Sequence, residues 1–204
     1  MQAKTSRRGE QTRERILDAA EQVFAEKDYS AARLEDVAQA VGIKRASIVY
    51  YYAGKQELYD AVEERIFTAM SSHTQGTQRP GENAINQLLD LLDGWLDFLV
   101  ARPTAARILL RTSSNSYSDS RAPIRNSAGA LTAWEEIIRR GQASGEFAEA
   151  SPMHLLHLLG AGFIYYTATA QLLGDERNYD PANPVELEAF RTLMHRSAKA
   201  LLTP

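Results

Sequence analysis

The chain has 204 residues, with 23 Lys and Arg against 26 Asp and Glu, no cysteine, and 44% apolar residues. These proportions suit a soluble globular protein of one or two domains. The missing cysteines exclude a disulfide framework, a thiolate nucleophile and zinc sites of the finger or ribbon type. The start, Met1 to Arg15, is polar and Arg-rich without an apolar core stretch, so no signal peptide is expected and the cytoplasm is the expected compartment. The net charge of −3 is unevenly divided: residues 1–55 hold 10 basic and 8 acidic side chains, whereas residues 56–204 hold 13 and 18. Lys4, Arg7, Arg8 and Arg13 face only Glu10 among the first thirteen residues, a short basic arm that taken alone reads as a solvated leader.

Apolar residues recur with the 3.6-residue period and almost never alternate, which predicts an all-α chain of about nine helices. From Gln11 onward, Ile16, Ala20, Val23 and Phe24 share one face of a helix ending near Asp28. A short helix over about Leu34 to Val41 precedes Gly42, where a left-handed cap is least costly, and another follows over about Arg45 to Tyr51. Ala53-Gly54 interrupts the pattern before a long fourth helix, about Lys55 to Ser72, with Leu58, Val62, Ile66, Phe67 and Met70 on one side. Gln75 to Gly81 reads as a polar break. Residues 82–101 carry Leu88, Leu92, Trp95 and Leu99 opposite Asp90, Asp93 and Asp97, a carboxylate row of the kind usually found on a solvated face.

Pro103 closes that helix, Ala105 to Thr112 forms a shorter one, and Ser113 to Ser120, five serines in eight residues, reads as a loop. Arg125 to Gly141 brings Leu131, Trp134 and Ile138 into phase. Ser151-Pro152 opens a helix reaching about Leu173, and the last runs from Pro184 to Leu202. Ala150 to Gly174 contains no Asp, Glu, Lys or Arg in 25 residues, enough in length for a membrane span, which needs about 20. His154, His157, Thr167, Thr169 and Gln171 interrupt it, so a helix buried in a core and a subunit interface together accounts for it better.

The segment that carries a mechanism is LEDVAQAVGIKRASIVYYY, Leu34 to Tyr52. Two short helices joined by a Gly-containing turn make a helix-turn-helix. Ala38 is small where the helices cross, Gly42 takes the turn, and Ile48 packs back toward Val37 and Ala38. Arg45, Ala46, Ser47, Tyr50 and Tyr51 are left on the outer side, where a recognition helix meets the major groove.

Around this unit, ERILDAAEQVFAEKDY (Glu14 to Tyr29) and LEDVAQAVGIKRASIVYYYAGKQELYDAV (Leu34 to Val62) resemble the tetracycline-repressor (TetR) family of one-component regulators. The resemblance covers about residues 9–62 and lies in Val37-Ala38, Gly42-Ile43, Tyr51-Tyr52, Lys55 and Glu57-Leu58. It implies a helix-turn-helix DNA-binding domain over residues 1–54, with the basic arm, and a helical effector-binding and dimerisation domain over residues 55–204. The chain departs from the family pattern at Asp28, usually Gly, at Ala32-Arg33, usually a hydroxyl residue, at Lys44, usually Ser or Thr, and at Val49, commonly Tyr. Asp28 is expected to tolerate a left-handed turn, and Arg33 to replace a hydroxyl's phosphate contact with a charged one.

The expected roles follow from side-chain chemistry. Arg45 is the candidate for reading guanine O6 and N7 with its fork, and Ala46 and Ser47 for a neighbouring base or thymine methyl. Lys44, Tyr50, Tyr51 and Lys55 are candidates for phosphates, Tyr52 for the core, and Arg7 and Arg8, with Thr12 and Arg13 behind them, for the backbone or minor groove. One such unit reads too few bases, so a homodimer on a palindromic double-stranded operator is expected. By resemblance the last two helices supply the dimer surface, with Leu159, Gly162, Ala170, Phe190, Met194 and Leu201; packing within one chain is the other reading of these residues. Also by resemblance, a pocket for an apolar or aromatic effector is expected from Phe67, Met70, Trp95, Phe98, Trp134, Ile138, His157, Phe163 and Tyr166, with Asn115 among its polar groups; each taken singly is better explained by plain packing.

Enzyme chemistry has little support. His154 and His157 share a helical face but have no acidic partner in that helix, Gly160-Ala-Gly162 follows no strand, and no phosphate loop or Gly-x-Ser-x-Gly occurs. No metal, no cofactor and no catalytic residue are expected. The chain is identified by this resemblance as a ligand-responsive repressor, the alternative being a helical small-molecule-binding protein or enzyme without a DNA role.

Overall fold

A computed structural model describes residues 7–77, 79, 81–114, 122–174 and 176–203. Lys4, Asn115 and most of the serine-rich loop lie outside the described residues. Among those described the chain is all-helical, with nine helices. The first three are α1 (Arg7–Glu26), α2 (Leu34–Val41) and α3 (Arg45–Tyr51). They are followed by α4 (Lys55–Thr77), α5 (Ala84–Ala101), α6 (Pro103–Ser114) and α7 (Ala122–Ala143). The eighth, α8, is continuous but uneven: Pro152–Leu155, a π-turn over Leu156–Gly160, then Ala161–Thr169. The last is α9 (Pro184–Leu202).

The three-helix head closes as its sequence predicts. Ile16, Ala20, Val37 and Ile48 are fully buried, and Ala38 nearly so. Gly42 adopts φ 75°, letting its own N–H reach Gln39 O at 3.1 Å and that of Ile43 reach Ala38 O at 3.0 Å, a left-handed cap that a side chain would strain. Asp28 behaves differently from expectation. No described residue other than glycine has positive φ. Instead the Asp28 carboxylate accepts the Ala31 N–H and the Ser30 hydroxyl, each at 2.8 Å, a side-chain turn that replaces the family glycine.

In the body, α4 packs on α5 and α7, α6 packs on α1 and α8, and α5 also touches α7 and α9. Trp134 is fully buried, stacks on Trp95 with ring centroids 5.8 Å apart, and donates its indole N–H to Pro152 O at 2.7 Å. Several boundaries differ from the sequence expectation, among them the start of α1 at Arg7 and the span of α7, Ala122–Ala143 instead of Arg125 to Gly141. α4 continues past Ser72 to Thr77; within this extension Thr74 is buried and its hydroxyl bonds the Met70 carbonyl at 3.1 Å. α6 begins at Pro103, which opens the next helix as well as ending the previous one. α8 stops at Thr169 instead of Leu173.

The carboxylate row on α5 is also corrected: it is an ion-pair ladder, not a free solvated face. Arg191 of α9 bridges Asp93 at 2.8 Å and Asp97 at 2.6 Å, His195 meets Asp93 at 2.7 Å, and Asp90 holds Arg79 at 2.8 Å. No described helix is long and apolar enough to cross a membrane.

Candidate DNA-reading head and effector cavity

On α3, Arg45, Ala46 and Tyr50 are exposed, Ser47 and Tyr51 half-buried, and Tyr52 buried. Tyr50 stands 84% exposed, edge-on to Tyr51 at 5.2 Å, a large ring with no covering partner. The Arg45 guanidinium rests on the exposed Glu35 carboxylate of α2 at 2.8 Å, a surface pair of little energetic weight that a DNA base edge can replace. Lys44 occupies the N-cap position of α3 and Arg33 that of α2, both exposed. From Arg7 onward the basic segment is helix, not arm: Arg7, Arg8 and Arg13 project from α1, the Thr12 hydroxyl bonds Arg8 O at 2.9 Å, and Arg13 lies over the Tyr52 ring.

Lys55 differs from expectation. Its ammonium donates to Tyr29 O at 2.6 Å and Ala32 O at 3.0 Å and lies 4.4 Å from the Tyr29 ring centroid. The charge is turned inward to tie the α1–α2 loop to the start of α4, which removes it from the phosphate-binding set. No spacing rule signals this, since the loop carbonyls meet Lys55 only in three dimensions.

The head is joined to the body through Glu21 of α1, 4% exposed. It accepts from Arg102 Nε at 2.7 Å and also from Arg102 Nη2, from Arg65 at 2.9 Å and from Thr104 at 2.6 Å. Burial pushes this carboxyl up, but the bonds from Arg102 and Thr104, with the Arg102 charge and Arg65, outweigh it and hold it below the usual carboxylate range. Arg111 of α6 adds a bond to the Phe24 carbonyl at the end of α1, at 2.8 Å. Its partners lie more than 40 residues away, so no local spacing signals it.

A cavity of about 440 Å³ lies among α4 to α8. Of the residues expected there, Phe67, Met70, Trp95, His157 and Phe163 line it. Four do not. Trp134 and Ile138 are fully buried core, Phe98 lies under the Arg102 guanidinium, and Tyr166 stacks on Phe190 at 4.0 Å and Tyr179 at 4.8 Å. Helical phase put these rings on inward faces but could not say which inward faces meet across a void. Burial, with Tyr179 and two nearby carboxylates, pushes the Tyr166 hydroxyl up to about 12. The wall also includes Leu99, Thr112, Ser127 and Ile164, which the sequence did not single out. Behind Thr112 lies Glu63 of α4, fully buried, its Oε1 accepting the Thr112 hydroxyl at 2.5 Å. Burial first, opposed by that bond and assisted by Asp60, pushes its carboxyl up to about 7.

The expected dimer residues divide. Leu159, Ala170 and Met194 are buried within the chain and Phe190 is covered by Tyr166, so these four pack intramolecularly. Leu201 is exposed and Gly162 partly so. Leu158 and Tyr165 of α8 and Val185 and Leu193 of α9 also stand exposed.

An exposed α3 on a three-helix head, joined to a helical body with a largely apolar cavity, is a helix-turn-helix head on an all-helical body. Residues 16–62 match the family described as bacterial regulatory proteins, tetR family. Among curated relatives, the chain is 38% identical over 55 residues to the biofilm operon icaADBC HTH-type negative transcriptional regulator IcaR of Staphylococcus epidermidis, covering 27% of this chain and 30% of that one. It is 24% identical over 164 residues to the HTH-type transcriptional repressor NicS of Pseudomonas putida, covering 79% and 77%. Among solved structures, the transcriptional regulator FadR from Bacillus subtilis in complex with stearoyl-CoA superposes with TM-score 0.73 at 16% identity, over 93% of this chain and 98% of that one. The chain thus matches under a third of the length of the first of these relatives, while its fold matches nearly all of FadR. Over residues 16–62 the chain is thus similar to the TetR family of regulators, and over nearly its whole length it shares the fold of FadR.

Proposed function

We propose that the protein is a ligand-responsive transcriptional repressor that binds a palindromic operator as a homodimer and leaves it when a small, largely apolar effector occupies the cavity. It acts by binding, without catalysis, and works where the operator is, in the cytoplasm. The observation that carries the reading is the solvent-facing set Lys44, Arg45, Ala46, Ser47 and Tyr50 on a rigidly seated α3, with Arg7, Arg8, Arg13 and Arg33 exposed on the same three-helix head. Arg45 is the base-reading residue, Ala46 and Ser47 flank it, and Lys44, Tyr50, Tyr51, Arg33 and the α1 arginines, with Thr12, hold phosphates. The exposed residues of α8 and α9 pair two copies, setting two reading heads about 34–36 Å apart. The effector works by population shift, favouring a pose of α4 that moves the heads out of adjacent grooves.

The test is fluorescence-anisotropy titration of DNA containing the palindrome nearest the gene. Arg45→Ala is expected to cost about 1–3 kcal/mol on the palindrome and little on scrambled DNA. Lys44→Ala is expected to weaken both equally and to reduce the salt slope by about one. Equal, unselective losses in both variants would place α3 outside the groove and overturn the reading.

A further inference from the structure

The chemistry of the effector can be read from the irregular turn of α8 that borders the cavity, and this inference rests on the effector-cavity reading above. The π-turn Leu156–Gly160 puts His157 on the wall of the space that the rings of Phe67, Trp95 and Phe163 also line. Departures from the α-helix of this kind are frequent at functional sites. The His157 ring is fixed by its own helix: Nδ1 lies 2.6 Å from the Met153 carbonyl oxygen, one turn back. A carbonyl oxygen can only accept, so Nδ1 carries the proton. The same oxygen also takes the Leu156 N–H, which fills both of its lone pairs.

With Nδ1 protonated and committed, the uncharged ring presents Nε2 as a lone-pair acceptor. Nε2 has no partner among the described residues. Thr112, another polar side chain of the wall, has nothing to offer: Glu63 Oε1 at 2.5 Å, the Ile108 carbonyl at 3.0 Å and the Tyr59 hydroxyl at 3.1 Å surround its oxygen. His157 is exposed to solvent, so a ligand that covers Nε2 displaces water from it. A ligand that brings an O–H or N–H there replaces the lost hydrogen bond; one that can only accept replaces nothing. A neutral donor serves better than an ion, because the surrounding wall is largely apolar and desolvating a charge costs more. Among neutral donors an aromatic hydroxyl fits best. Its ring suits the edge and face contacts that Phe67, Trp95 and Phe163 offer, and its proton is more acidic than an alkanol's and so bonds an imidazole nitrogen more strongly.

We propose that the cavity selects phenols and related apolar molecules with a weakly acidic hydroxyl, the body lying among Phe67, Trp95 and Phe163 and the hydroxyl donating to His157 Nε2. His157 is the specificity-determining residue, and the Met153 carbonyl is its positioning group, since it fixes which ring nitrogen is left to accept. The hydrogen bond forms without proton transfer, so both partners stay neutral.

The test uses four probes on a common 4-tert-butylphenyl body, the phenol, the benzonitrile, the benzoate and the benzylamine, titrated calorimetrically into the whole chain at pH 8.0. The phenol is expected to bind about tenfold more tightly than the nitrile, which can only accept, and more tightly than either ion. His157→Leu is expected to bring phenol and nitrile to equal affinity, and because His157 is exposed the variant is expected to keep its fold. Nitrogen-15 NMR of histidine-labelled protein does not depend on that variant. One of the 4 imidazoles should show a protonated Nδ1, with an Nε2 signal that moves on addition of the phenol and not of the nitrile. Equal binding of phenol and nitrile to the unaltered protein, or tighter binding of benzoate or benzylamine, would overturn the inference and leave the cavity reading standing. If none of the four binds, the cavity reading falls and the inference with it.

Discussion

At the scale of single residues, the two informative side chains are ones whose chemistry is redirected by burial. Glu63 has its carboxyl raised from 4.5 to about 7. A raised folded-state value means the fold holds the proton more tightly than the unfolded chain does. The associated stability is present in full below about 4.5 and is lost as pH rises through about 7, in total on the order of 3 kcal/mol. Glu63→Gln, which keeps an acceptor for Thr112, is expected to flatten this slope and to melt above the parent protein at pH 8. Thermal denaturation at pH 5 and pH 8 checks it, and a variant-to-parent difference that does not change with pH would mean no buried charge is being formed. Lys55 is the second case. Because its ammonium serves the Tyr29 and Ala32 carbonyls, Lys55→Met is expected to cost about 2 kcal/mol in chemical denaturation. A phosphate-binding lysine behaves oppositely, so the salt slope of DNA binding should stay unchanged in this variant.

At the scale of elements, the decisive feature is how α1 is held by the body. Glu21 receives Arg65 from α4, Arg102 at the end of α5 and Thr104 from the start of α6, so three helices that border the cavity or abut it converge on one carboxylate of the head. Any tilt of α4 must move Arg65 relative to Arg102, and Glu21 cannot follow both. Glu21→Gln is expected to lose about 2–3 kcal/mol of stability, toward the lower end for a buried pair because both arginines retain some solvent. The loss should shrink as pH falls through the carboxylate range, since the lowered folded-state value of Glu21 contributes stability above its unfolded value and loses it below. Denaturation at pH 7 and pH 4 measures both. A second element of interest is the π-turn of α8, Leu156–Gly160, which places Leu156, His157 and Gly160 on the cavity and Leu158 on the outer face. The extra residue in that turn allows one short segment to serve both surfaces.

At the scale of the whole molecule, α8 and α9 leave Leu158, Tyr165, Val185 and Leu193 uncovered, the surface on which the proposed pairing rests. Leu158 and Tyr165 fall at i and i+7, and Val185 and Leu193 at i and i+8, so each pair recurs along one helix face. In the proposed homodimer a four-helix contact between two copies covers them. Leu158→Asp with Leu193→Asp is expected to weaken dimerisation by roughly 2–5 kcal/mol by burying unpaired like charge. Sedimentation velocity should show a monomer, with operator affinity falling in parallel while helix content is kept. A variant that remains dimeric would place the interface elsewhere. On the proposed reading, an acidic body opposes phosphates, so one head alone is expected to bind weakly and the pairing of two heads to distinguish an operator from other DNA.

Local rules in the sequence were sufficient for the helical class, for α2, α3 and α9 to the residue, and for the reading head, because period, capping residues and the Ala38, Gly42, Ile48 spacing act within a few turns of the chain. The end of α4 escaped those rules, since the burial of Thr74 comes from packing against the rest of the body, and neither the π-turn of α8 nor its end at Thr169 follows from the local pattern. The same limit governs the sites. Hydrophobic phase identified inward-facing rings, yet only packing separated Phe67, Trp95 and Phe163, which face a void, from Trp134, Phe98 and Tyr166, which face one another. It also separated Met194 and Leu159 in the core from Leu158 and Leu193 outside. Glu21, Lys55 and Glu63 look like ordinary helix-surface charges when read along the chain. Their roles were decided by the tertiary structure alone, because an ionic or hydrogen-bonding partner tens of residues distant leaves no trace in local spacing.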